Sequence, residues 1–129
     1  MLVLGVLDKP LLWFSEAAVC LPFIVSAVAK SMDRKAALEE MAAGGFPRSK
    51  LLFMAIIGMQ AVSVALILLQ LSPLVGALLL IGFLAAATVK YHAFWRARGA
   101  LRMTQLNHFA ENIGLIGALF LIALVGARQ

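Results

Sequence analysis

Two histidines, His92 and His108, lie near one carboxylate, Glu111, and two amides, Gln105 and Asn112, in a chain made otherwise largely of Leu, Ala, Ile, Val and Gly. In a helix, spacings of three and four put His108, Glu111 and Asn112 on one face, with Gln105 one turn earlier. An imidazole, a carboxylate and an amide aligned in this way suit three chemistries: passing a proton, holding a metal, or clamping a carbonyl-bearing ligand such as a quinone. The metal reading is the weakest. His108 and Glu111 form a single H-x-x-E pair whose third ligand would have to be His92 across a loop, so no metal is assigned. The candidate catalytic residues are His92, His108 and Glu111, as proton or hydrogen-bond partners. Phe94 and Trp95 are the candidate stacking wall, and Gln105 and Asn112 the amides that orient a ligand. A plainer reading stands beside this one: Tyr91, Phe94 and Trp95 with Arg96 and Arg98 also form an aromatic belt flanked by basic residues, as found at any membrane interface.

The elements that must position these residues are membrane spans. The 129-residue chain is 64% hydrophobic, only 13% charged, and has a mean hydropathy of +1.01, more apolar surface than a soluble domain of this size can cover. Runs near the ~20 residues needed to cross a hydrocarbon core predict four transmembrane helices, at about 10–30, 51–71, 73–94 and 104–127. Between the first two spans, Asp33 to Ala43 sets Ala36, Ala37, Leu38 and Met41 against Asp33, Arg34, Lys35, Glu39 and Glu40, the pattern of a short amphipathic helix at the interface. Gly44-Gly45-Phe46-Pro47 ends it. Ser72-Pro73 makes a tight turn that brings the third span back antiparallel to the second. Gly82 with Ala86, and Gly114 with Ala118, offer faces on which helices could approach closely. The expected fold is an all-α, single-domain, integral membrane four-helix bundle.

Charge sets the expected orientation. Lys30, Arg34, Lys35, Arg48, Lys50, Lys90, Arg96, Arg98 and Arg102 fall at one end, and only Lys9 and Arg128 at the other. That bias puts the two long loops in the cytoplasm and both termini outside. In such a protein the net charge of +5 serves topology and headgroup contact, so the lipid bilayer is the expected partner and nucleic acid is not. The lone Cys20 excludes a thiol reaction through an internal Cys pair and reads as a small buried hydrophobe. The amino terminus lacks a basic region and a small-residue cleavage site, and reads as mature chain.

Polar groups inside the spans each need a reason. Glu16 lies about 9 Å along the first helix from Pro10, at 1.5 Å per residue. It reads either as a proton-bearing carboxyl or as an interhelical contact. Gln60, near the middle of the second span, is either a ligand-binding amide or a hydrogen-bonded bridge between helices.

Five features in order carry a family resemblance. Phe23 to Lys30 ends the first span in a basic residue, and the amphipathic segment closes with Gly45-Phe46-Pro47. After the tight turn come Tyr91-His92-Ala93-Phe94-Trp95 and then Gln105-Leu106-Asn107-His108-Phe109-Ala110-Glu111-Asn112. On these the chain resembles the DoxX-like family of small four-helix bacterial membrane proteins over essentially its whole length. The family takes its name from a membrane subunit of an archaeal thiosulfate:quinone oxidoreductase. The resemblance implies an inner-membrane subunit or accessory of a redox, quinone-linked system, with a soluble or membrane oxidoreductase as partner. It marks His92, Phe94, Trp95, Gln105, His108 and Asn112 as the family-like positions. Where family members often carry Glu in the second span, this chain has Gln60. The alternative is a non-enzymatic membrane protein whose polar cluster packs its own helices, docks a neighbour or supports a homo-oligomer.

Overall fold

A computed structural model describes residues 8–128. The amino-terminal reading as mature chain falls partly on residues 1–7, outside them. Among the described residues every regular element is helical: α1 (Asp8–Met32), α2 (Arg34–Ala43), α3 (Lys50–Leu68), α4 (Pro73–Tyr91) and α5 (Gly99–Ala127), with a 3-10 turn at Phe94–Arg96. Helices α1, α3, α4 and α5 are each long and apolar enough to cross a membrane. The chain is a multi-pass membrane protein.

Local chemistry fixes where the helices begin. Asp33 accepts from the Ala36 amide at 3.1 Å to start α2, Ser49 from Leu52 at 3.2 Å to start α3, and Ser72 from Val75 at 3.3 Å, with Pro73 in the first turn, to start α4. Each short oxygen satisfies one of the amides that a helix start leaves orphaned. The second span ends three residues before the expected 71. Leu69 caps it and Gln70 adopts a left-handed conformation, φ +57°, to make the corner. The last span begins at Gly99, five residues ahead of the expected 104, because Ala100-Leu101-Arg102-Met103 are all strong helix formers.

The helices form a ring in chain order. α3 packs on α1 and α4, α4 packs most extensively on α5, and α5 meets α1 only lightly. Cys20, Phe23, Ile67, Ala77, Leu80, Leu84, Leu119, Ile122 and Ala123 form the core. Leu11, Phe14, Leu51, Met54, Leu69 and Leu121 stay on the outside, where hydrocarbon meets them. Lipid is as apolar as Leu, so close packing holds such helices together where the hydrophobic effect would in water. Among the glycines of the described spans, the closest approach is at Gly76. A Cβ there would lie 2.6 Å from the Ser63 carbonyl oxygen and 2.8 Å from Ile67 Cγ1. The close approach expected at Gly82 and Gly114 is not made: a Cβ at either would meet nothing within 4 Å. Spacing identifies small-residue faces, but which of them turns inward depends on the ring's closure. α2 buries Ala37 and Met41 against Phe53 of α3, closing the basic end of the α1–α3 pair.

Candidate functional site

Among the described residues, four polar side chains are buried in the bundle: Glu16, Gln60, Ser63 and Thr88. Three have partners. Ser63 donates to the Met59 carbonyl at 2.7 Å and Thr88 to Leu84 at 2.6 Å, each spending its hydroxyl on its own helix. Glu16 accepts from Gln70 Nε2 at 3.2 Å, which makes it an interhelical contact between α1 and the corner after α3. Gln60 is different. It is 1% exposed and its Oε1 has no hydrogen-bond partner. A buried acceptor left unmade costs about 1–3 kcal/mol, so it is an unusual thing to find in a packed helix.

Gln60 lines a cavity of about 330 Å³ that opens toward the basic end of the bundle. From α1 come Pro22, Phe23, Ser26 and Lys30; Glu40 comes from α2 and Asn112 from α5; Tyr91 and His92 come from the end of α4. Pro22 has no amide hydrogen, so α1 carries a free carbonyl at Ala18 and can bend beside the cavity. Lys30 does not simply reach out to the headgroups as its place at a span end suggests. It is half-buried, lines the cavity, and holds its ammonium 5.6 Å from the centre of the Phe83 ring. Tyr91 sits over Gly44, where any Cβ would run into the ring, so the glycine lets the loop after α2 fold down on the cavity wall.

The candidate residues read from the sequence divide into three groups. Gln60, His92 and Asn112 line the cavity. His92 Nδ1 lies 2.7 Å from Gln105 Oε1. That oxygen only accepts, so Nδ1 carries the proton and a neutral His92 keeps Nε2 as an acceptor. Gln105 therefore acts by orienting His92. Phe94 and Trp95 belong to a second group, an edge-to-face cluster with Phe109 at centroid distances of 5.2–5.9 Å, which fastens the loop to α5 beside the cavity. The third group is His108 and Glu111. They pair with each other at 3.6 Å, but their side chains are 51% and 70% exposed, and neither lines the cavity. His108 reaches the site only through its ring, 5.0 Å from that of His92. Gln105 on one side of them meets His92, and Asn112 on the other lines the cavity, so His108 and Glu111 are exposed because they turn away from the cavity around α5.

No family model, curated protein or solved structure matches this chain.

The roles follow from geometry alone. Four polar cavity residues are not among the candidates read from the sequence: Ser26, Lys30, Glu40 and Tyr91. One signal was available. Pro22, Ser26 and Lys30 recur every four residues, which puts them on one face of α1.

Proposed function

We propose that this protein holds the polar head of a lipophilic hydrogen-bond donor in the cavity at its basic end, and that the ligand is a quinol of a quinone-linked redox system. The observation that carries the reading is that Gln60, a residue lining that cavity, has a buried Oε1 with no hydrogen-bond partner. The cavity's volume, about 330 Å³, is at the lower end of the range for small-ligand sites. The site offers Gln60 Oε1 as an acceptor, and with Nδ1 of His92 donating to Gln105, Nε2 of the neutral ring would be a second. A quinol brings two hydroxyl donors to them, whereas a quinone has only carbonyls, which accept. The reduced form is therefore the better fit. Asn112 and Lys30 add donors at the rim, and Gln105 keeps His92 in the required tautomer.

The resemblance to the DoxX-like family supports the same reading. By that resemblance the chain would be a membrane subunit or accessory in a bacterial inner membrane, with an oxidoreductase partner that exchanges the electrons. The nine basic residues at the cavity end support a topology with that end in the cytoplasm and both termini outside.

Purification in native lipid, followed by mass spectrometry and absorbance of what stays bound, tests the proposal on wild type and on Gln60→Leu. Wild type should retain a quinol or a related phenolic lipid, and the variant should lose at least nine-tenths of it. Two equally folded, equally empty proteins would instead leave the cluster as a structural or partner-docking feature.

A further inference from the structure

Gln60 lines a second space besides the cavity. On the lipid side of the bundle a groove of about 440 Å³ runs between α1 and α3, walled by Phe23, Ile24, Val28, Ala61, Val64 and Leu68 among others. Gln60 is its only polar residue, and Phe23 and Gln60 are common to the groove and the cavity. The two spaces differ in chemistry. The cavity carries a lysine, a histidine, a glutamate and an asparagine, while every wall of the groove apart from Gln60 is hydrocarbon. Ile24 and Val28 on the rim are exposed, so the groove opens onto acyl chains. The shared wall lies one residue from Pro22, where α1 lacks a backbone hydrogen bond and bends most easily.

We propose that the ligand is a long-chain amphiphile bound in two parts: its donor head at Gln60 in the cavity, and its apolar chain in the α1–α3 groove, having entered sideways from the bilayer past Phe23. This rests on the ligand reading above and extends it to the ligand's shape and route. A head alone would fill the cavity and leave the groove to ordinary lipid. A chain alone would leave Gln60 Oε1 unpaired, which is the cost that an attached donor removes. The occupant is thus a molecule with both ends, an isoprenoid or acyl chain carrying a hydroxyl-bearing head.

Photolabelling in phosphatidylcholine nanodiscs tests this, with a diazirine-bearing hexadecanol as the probe and its methyl ether, which has no donor, as the control. In wild type the alcohol should label the α1 and α3 residues of the groove about tenfold more than the ether, the worth of one hydrogen bond to a buried acceptor. Gln60→Leu should bring the alcohol down to the level of the ether. Ala61→Trp, on the exposed face of the groove, should cut labelling by the alcohol about tenfold without touching the cavity. Equal labelling by alcohol and ether would overturn the proposal, because the groove would then hold only annular lipid. It would also fall if Ala61→Trp purified with as much native ligand as wild type while Gln60→Leu lost it: the cavity would bind its ligand without the groove. Retention of native ligand by Gln60→Leu would overturn both this inference and the function on which it rests.

Discussion

The two ends of the bundle treat buried polar groups in opposite ways. Near the α3–α4 corner, Glu16 is met by Gln70, whose side chain also donates to the Ile67 carbonyl at 2.7 Å, and Trp13 Nε1 donates to Leu68 at 2.9 Å. Every group there that reaches into the protein finds a partner in the protein, and α3 and α4 touch backbone to backbone at Gly76. At the basic end, polar side chains from five helices surround a space, and the Oε1 of Gln60 is left unpaired. A satisfied polar group in a membrane helix is read as adhesion between helices. An unsatisfied one beside a cavity points to a missing ligand atom. The charge a residue carries is a poorer guide than whether its bonding is complete.

The largest effect should come from breaking the closed end. Gly76→Ala drives a methyl group against the Ser63 carbonyl and Ile67, and the backbone oxygen has no rotamer through which to yield. We expect destabilisation of about 3 kcal/mol, the upper part of the overpacking range, read as a fall in Tm in detergent. Gly82→Ala, which adds the same methyl where nothing lies within 4 Å, should change Tm little and serves as the control.

Glu16→Ala comes next. It removes a buried side chain and the partner of Gln70, whose left-handed backbone that contact helps to hold, and should cost about 2 kcal/mol. Glu16→Gln keeps the shape and a hydrogen bond, and should recover most of the loss. If Glu16→Gln were instead as damaging as the alanine, the carboxylate itself would matter, and the closed end would have a chemical role that the comparison denies it.

At the open end the sign should reverse. Gln60→Leu replaces an unpaired amide with an apolar side chain of similar size, so stability without ligand should hold or rise by about 1 kcal/mol. Ligand retention should fall at least tenfold. A protein that gains stability while losing its ligand carries a binding residue at that position. One that loses both carries a structural residue, and the two ends would then be alike.

These contrasts were only partly legible in the sequence. The four spans, the α2 segment and the Ser72-Pro73 corner follow from the length of apolar runs and from capping chemistry, which are local properties. Gln60 is legible as a polar residue deep in a span, but its unpaired oxygen depends on where Phe23, Lys30 and Asn112 fall on two other helices. The position of Lys30 at the end of a span is legible in the sequence, whereas the Phe83 ring 5.6 Å from its ammonium is not. Gly76 went unremarked beside Gly82 for the same reason: both are small, and only the ring closure turns one inward.

The smallest effect is expected where the sequence is chemically most suggestive. His108 and Glu111 have the residue types of a proton-transfer pair and the right helical spacing, but they pair at 3.6 Å with both side chains more than half exposed on the outer face of α5. An exposed pair held by two mobile side chains contributes little. The stacking of His108 on His92 is its one link to the cavity, and a ring contact at 5.0 Å can shift the neighbouring imidazole without supplying a bond to the ligand. His108→Ala should therefore change ligand retention less than twofold. His92→Ala, which removes a cavity-lining acceptor and the group that Gln105 orients, should lower it about tenfold. Measuring the two variants side by side separates a site built on the cavity from one built on the surface of α5. A larger loss in His108→Ala than in His92→Ala would move the chemistry out to the helix surface, where a docked partner, and not a bound lipid, would be its counterpart.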